Sequence, residues 1–462
     1  MADMAIPQQV ACSSKSHPGK CDESSDIRVH FGISEEEKAA VKNRGEHVLK
    51  ALKNLGLDVK KGPVVSVLVS GGGLRAAIAC QGVLSELSHV GLLDTVTYLA
   101  GVSGSTWCMS SLYTENDGWK DLGKMENELR RRLQEDSWMV SVSLDGLCVA
   151  AERDDYSLTD FWSYSAVYYL TKELLGGHLS HAREQSEMGT VPYPIFASIN
   201  HDLKSSGKEK NLNAWFEFTP DWAGYSTPGA YVSTALCGSK FEGGKLVQQE
   251  PERDFSYLRA VCGSPLADIN VILKTIWDFF KKFIHGSSTQ EEMLLTDPED
   301  TEDKLLTEKK NMYLMDAGST INSAYPLVLP PIRSTDIILS FDFSAGDPFK
   351  TIKATEKYCK ACNIPFPLVD DAKLDQEAKA PSDLYIFEGE NAPVVMHFPL
   401  FNKVNCGSKD VIEQRHETYA TFRLTNYSDD EVCQLLEDSK ANVRNNKDCI
   451  FMKISELAKP AS

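Results

Sequence analysis

The chain has 462 residues, is 42% hydrophobic, and sets 48 basic against 66 acidic residues for a formal charge of −18. Such a length holds two or three domains or one large α/β unit, and the acidity excludes a general nucleic-acid binder and bulk attraction to anionic lipid, so any membrane contact is local or apolar. No apolar run is long enough to span a bilayer, and the opening MADMAIPQQVACSS lacks both the basic and the apolar part of a secretion signal.

Residues 1–33 are polar and without periodicity, which predicts a disordered leader. Ser34 ahead of Glu35, Glu36 and Glu37 is a capping-box start for a helix to about Leu55, stopped by Gly56. PVVSVLVS (63–70) reads as a buried strand, followed by a helix from Leu74 to about His89. TVTYLA (95–100) is a second buried strand, and a helix opens at Thr106. Residues 120–185 have mixed helical spacing; YPIFASIN (193–200) and WFEFTP (215–220) read as further strands.

Ile269, Ile272, Ile276, Phe279, Phe280 and Phe283 give the stretch 266–284 a helical apolar face, and the charged stretch 285–310 reads as a mobile loop. The pair is either a lid or membrane-docking element or a core helix beside a loop. MYLMD (312–316) predicts a strand ending on an acid, and DIILSFDFSA (336–345) another buried strand. Helices near 351–362 and 429–439 bracket the strand-like VVMHFPLF (394–401). The twelve cysteines, many inside apolar runs (Cys80, Cys108, Cys148), suit buried thiols of a reducing cytoplasm.

Two strand-to-helix turns carry the chemistry. Ser103, in Ala100-Gly101-Val102-Ser103-Gly104-Ser105, has the small neighbours that a nucleophile elbow needs. Ser105 replaces the last glycine of that pattern, so the motif alone also fits an ordinary glycine-rich turn. Ser70-Gly71-Gly72-Gly73-Leu74-Arg75 exposes backbone N–H groups at a helix start, where an oxyanion is stabilised, and Arg75 could reach a phosphate. The same glycines fit a loose dinucleotide fingerprint. That reading needs an acid ending the next strand, and Asp94 precedes it instead.

A serine nucleophile needs a base. Asp316, at a strand end before Ala317-Gly318, would sit at the carboxyl edge of a parallel sheet. His397 and His416 follow it in an order that a Ser-Asp-His triad allows, though VVMHFPLF suits a packed histidine and EQRHET a surface one. Cys359-x-x-Cys362 and His178-x-x-His181 lack further ligands, so no metal is expected.

The glycine turn, the Gly101–Ser105 turn, Asp316-Ala317-Gly318 with Asn322, the block Pro326–Arg333 and Ser340-Phe341-Asp342-Phe343-Ser344-Ala345 together resemble the catalytic domain of the cytosolic phospholipases A2, from about Glu35 to the end. The resemblance implies a patatin-like three-layer α/β/α fold with a central, mostly parallel sheet and a cap or lid insertion, occupying residues 34–462. It implies Ser103 as nucleophile, Asp316 as base, Gly72 and Gly73 as oxyanion donors, and Arg75 and Arg333 as substrate-binding residues. No cofactor is implied. The partner implied is a phospholipid membrane surface, met peripherally from the cytoplasm. Members with a calcium-dependent docking domain carry it at the N-terminus, where this chain has only about sixty residues before its first buried strand, so calcium-independent action is expected. The ending Lys459-Pro460-Ala461-Ser462 has no cysteine for a prenyl anchor. A scaffold that keeps the fold without turnover is the alternative, and it would be expected to lack one of these residues.

Overall fold

The computed structural model describes residues 26–460 apart from 30, 115–117, 136–139, 154, 202, 204–213, 228, 264–311, 422 and 424–426. The predicted helix 266–284 and loop 285–310 therefore lie outside the described residues.

One eleven-stranded sheet organises the chain. Its strands are β1 (Arg28–Val29), β2 (Val65–Val69), β3 (Tyr98–Gly101), β4 (Tyr193–Asn200), β5 (Trp215–Phe218), β6 (Trp222–Tyr225), β7 (Ala230–Ser233), β8 (Leu314–Asp316), β9 (Ile337–Asp342), β10 (Tyr385–Phe387) and β11 (Val394–Pro399). Their order is β1-β7-β6-β5-β4-β3-β2-β9-β11-β10, with β8 on β4. The central five, β4-β3-β2-β9-β11, are parallel. The flanking strands and β8 are antiparallel.

The centre is apolar on both faces because helices cover both. Val65, Val67, Val69, Leu99, Leu339 and Phe341 point into one core, and Leu68, Ala100, Ile338 and Val395 into the other. That alternation explains why β2 and β9 are largely apolar: each fully buried Val, Leu or Ile contributes roughly 1.5–3 kcal/mol, and the polar residues among them, Ser66, Ser340 and Asp342, are buried as well. The first core holds α2 (Gly73–His89), α3 (Gly104–Thr114) and the last helix, α6 (Asp429–Leu457); α1 (Glu35–Asn54) enters it through Val48 and Leu52 and the second core through Ala40, and α5 (Lys350–Cys362) packs in the second. Between them, α4 (Phe255–Cys262) packs on α3 and β8.

Ser34 caps α1 by accepting from the Glu37 N–H at 3.0 Å, as its sequence predicts. Two other expectations need correcting. Arg28–Val29 lies within the stretch read as leader, yet it pairs with Tyr231 and Ala230 at the sheet edge; two residues are too few to show a strand period. The last helix runs eighteen residues past the predicted Ser439, to Leu457. Its core-facing row includes buried Asn442 and Asn446, which look like surface residues in sequence. Asn442 is satisfied inside by donating to the Pro399 carbonyl at 2.9 Å and accepting from Asn402 at 2.8 Å.

From β2 the sheet grows through β3 to β4 on one side and through β9 to β11 on the other. The carboxyl ends of β2, β3 and β9 therefore meet at the point where the strand order reverses, which is where open α/β sheets place their sites.

Candidate active site

The glycine turn leaves β2 and the serine turn leaves β3. Gly72 has φ 153° and Gly73 φ 60°, conformations that favour glycine, and Gly73 is the first residue of α2. The N–H groups at this helix start have no intrahelical acceptor. Ser103 is a non-glycine residue at φ 54°, the left-handed geometry of a nucleophile elbow. It is 8% exposed, so its hydroxyl is enclosed but reachable.

The two turns touch. A Cβ on Gly71 would lie 2.6 Å from Ser103 Cβ and 3.3 Å from Oγ, and a Cβ on Gly104 would collide with the Gly73 carbonyl. Ser105 Oγ donates to the Ser70 carbonyl at 2.6 Å, locking one turn to the other. Ser105, where the general elbow motif has glycine, is thus used as a tie.

Asp316 arrives by a route the sequence does not show. Strand β4 has two edges: β5 takes one over Phe196–Ile199, and β3 takes the other only up to the Gly101–Phe196 pair. Above that pair the β3 edge is vacant, and β8 fills it antiparallel, with Asp316 opposite Ser198. Asp316 therefore comes end-on to the end of β3, two positions beyond Gly101, at the level of Ser103. The expected parallel membership of β8 is corrected, although its acid does reach the carboxyl edge.

The carboxylate is also held. Asp316 Oδ1 accepts from the Gly318 N–H at 2.7 Å. A Cβ on Gly318 would stand 3.0 Å from that oxygen and 2.5 Å from Asn322 Oδ1, and one on Gly71 would also stand 2.5 Å from Asn322 Oδ1. Ser103, the glycine turn and the Asp316 loop thus converge around Asn322.

Both arginines, expected to bind substrate, are buried and bonded within the protein. Arg333 precedes β9, at the amino edge of the parallel strands, and its guanidinium lies over Tyr98 at the start of β3. Ser103 is five residues further along, about 15 Å at the rise of a strand. All five of its N–H groups are taken, by Glu37, Glu217 and the Leu327 carbonyl. It is an interior cation between two buried carboxylates. Arg333→Ala is expected to lower folding stability by about 3–5 kcal/mol in chemical denaturation, because two buried anions lose their counter-ion. Unchanged stability with a raised KM would restore it to the substrate.

Arg75 does sit at the glycine turn, with one terminal nitrogen 2.8 Å from where a Gly72 Cβ would be. It is wholly buried, and donates to the Phe343 carbonyl at 2.9 Å, to Thr421 Oγ1 at 3.1 Å and to the Tyr419 carbonyl. Burial pulls its pKa down to about 10. It braces the turn against the segment 419–421.

The alternatives are placed elsewhere. His397 is buried on β11 with Nε2 2.8 Å from the Pro348 carbonyl, its pKa lowered by burial. His416 packs edge-on against Phe401, and burial pulls its pKa to about 4. Asp94 lies in a turn before β3, at the amino edge, so no ribose acid meets the glycines. Cys359 and Cys362 both lie on α5, and of the thiols expected to be buried, Cys80 and Cys108 are and Cys148 is exposed. Among the described residues, no three His, Cys, Asp or Glu side chains gather as metal ligands. Nor is any described helix long and apolar enough to cross a membrane.

Fold and turns together define a class: an α/β protein with a strand–serine–helix elbow pressed against a glycine-rich anion turn. The family model of the lysophospholipase catalytic domain matches residues 65–147 and 150–276. Human cytosolic phospholipase A2 gamma is 41% identical over 94% of this chain and 97% of its own length. Human cytosolic phospholipase A2 zeta is 33% identical over 86% of this chain and 56% of its own. The solved structure of human GIVD cytosolic phospholipase A2 aligns with TM-score 0.77 at 27% identity, over 94% of this chain and 66% of that one. The chain belongs to the cytosolic phospholipase A2 family.

Proposed function

We propose that this protein hydrolyses the sn-2 acyl ester of membrane glycerophospholipids through a Ser103/Asp316 dyad, without calcium. The observation that carries this reading is the end-on approach of β8 to β3, which brings Asp316 to the level of the Ser103 elbow. The names of its relatives support the substrate class.

Asp316 takes the Ser103 proton, and Oγ attacks the ester carbonyl. The N–H groups of Gly72 and Gly73, at the positive end of α2, stabilise the oxyanion. Collapse breaks the bond to the glycerol oxygen, Asp316 protonates that oxygen, and lysophospholipid leaves. Water, deprotonated by Asp316, then attacks the acyl-serine carbonyl; collapse breaks the bond to Ser103 Oγ, Asp316 returns the proton to that oxygen, and the fatty acid leaves. A lysophospholipid entering the same pocket gives lysophospholipase activity, and a lipid alcohol replacing water gives acyl transfer. No step calls for a metal charge, because the helix start and glycine N–H groups supply the electrostatic stabilisation. The protein acts from the cytoplasm at the membrane surface, as the names of its cytosolic relatives suggest.

Phosphatidylcholine vesicles incubated with the enzyme are expected to release free fatty acid equally with chelator and with added calcium. A strict calcium requirement would refute the metal-free reading, and absence of fatty acid under both conditions would refute the activity.

A further inference from the structure

We propose that Asn322 is the positioning residue that aims the oxyanion donor of Gly72, a role that rests on the hydrolase reading above. Asn322 holds the Gly71 residue from both sides. Its backbone carbonyl accepts from the Gly71 N–H at 3.2 Å, and its side-chain Nδ2 donates to the Gly71 carbonyl at 3.0 Å. The Gly71 carbonyl and the Gly72 N–H belong to one trans peptide. In such a unit the C=O and N–H point in opposite directions in one rigid plane. Fixing the oxygen on Asn322 therefore fixes the Gly72 N–H on the opposite side of the peptide, away from Asn322, which in the hydrolase reading is the side of the oxyanion.

Glycine makes this clamp necessary. Gly72 at φ 153° has no Cβ, so its own side chain does not hold the peptide in one orientation. The second Nδ2 proton goes to Ser344 Oγ at 2.6 Å, and the Ser344 N–H is itself anchored on Asp342 Oδ1 at 2.8 Å. Both amide protons are thus committed, and the amide cannot flip. Asn322 Oδ1 occupies the gap between Gly71 and Gly318, and so ties the donor turn to the loop that carries Asp316. Its side chain needs no contact with substrate to set the angle between donor and base.

The test uses Asn322→Asp, which keeps the shape and removes the donor. Turnover of phosphatidylcholine vesicles is expected to fall about 10²–10³-fold, the loss typical of one oxyanion donor, with KM unchanged. A second readout separates aiming from mere support. The introduced carboxyl regains a proton to donate when protonated, and the nearby carboxylates of Asp316 and Asp342 raise its pKa. Those two acids titrate in the wild type as well, so the ratio of variant to wild-type kcat is the quantity to follow. That ratio is expected to rise as pH falls; a ratio flat with pH, or a KM effect alone, overturns the proposal. Should Asn322→Asp not fold, Ser344→Ala frees one amide proton and is expected to lower kcat with KM unchanged, while an unaltered kcat overturns it. An inactive wild type, or an active Ser103→Ala, would instead defeat the hydrolase reading itself.

Discussion

Ser103→Ala is expected to lower phospholipid hydrolysis roughly 10⁶-fold, to background, while the protein stays folded. The size follows from the absence of any second nucleophile at the elbow: Ser105 Oγ is bonded to the Ser70 carbonyl and Thr106 Oγ1 to the Ser103 carbonyl. Both neighbouring hydroxyls serve the turn and face away from the ester. Folding and chemistry also separate at this residue. Ser103 at φ 54° carries backbone strain of about 1–3 kcal/mol, which alanine shares and glycine does not. Ser103→Gly is therefore expected to be inactive and more stable than wild type by about 1 kcal/mol in denaturant unfolding. A glycine variant no more stable than alanine would show that the elbow is relaxed and not held under load.

Asp316→Asn is expected to lower kcat by about 10²–10⁴-fold, the range for a general acid–base group. Asparagine preserves the oxygen that accepts from the Gly318 N–H, so the loop keeps its shape and only proton transfer is lost. The histidines cannot replace it, since His397 lies buried against Pro348 and His416 against Phe401. The check is single-turnover kinetics beside a melting curve. Retention of near wild-type kcat would show that another group takes the serine proton. A collapse in melting temperature would show that the charge of Asp316 is structural.

Much of this architecture is written locally in the chain. The runs at 63–70, 193–200 and 336–345 are strands because their alternate residues enter two separate cores, and burial on both faces keeps them mostly apolar. The turns at Gly71–Gly73 and Gly101–Ser105 are equally legible, since conformations such as φ 153° at Gly72 restrict which residues can stand there. Ser103, its strand and its helix are consecutive, so their relation is a matter of neighbouring residues.

Partners distant in sequence are another matter. Arg75 and Arg333 are both arginines in glycine- or proline-marked segments, and no local pattern tells a cation facing substrate from one neutralising buried acids. The difference for Arg333 is made by Glu37 and Glu217, each more than a hundred residues away, which meet it only once the sheet is complete. Ser103, Asp316 and the glycines, as the proposed site, were nominated by the sequence itself. How Asp316 reaches Ser103, by an antiparallel strand occupying the edge that β3 leaves empty, was decided by the tertiary structure alone, because strand pairing is a property of two segments that no single segment encodes.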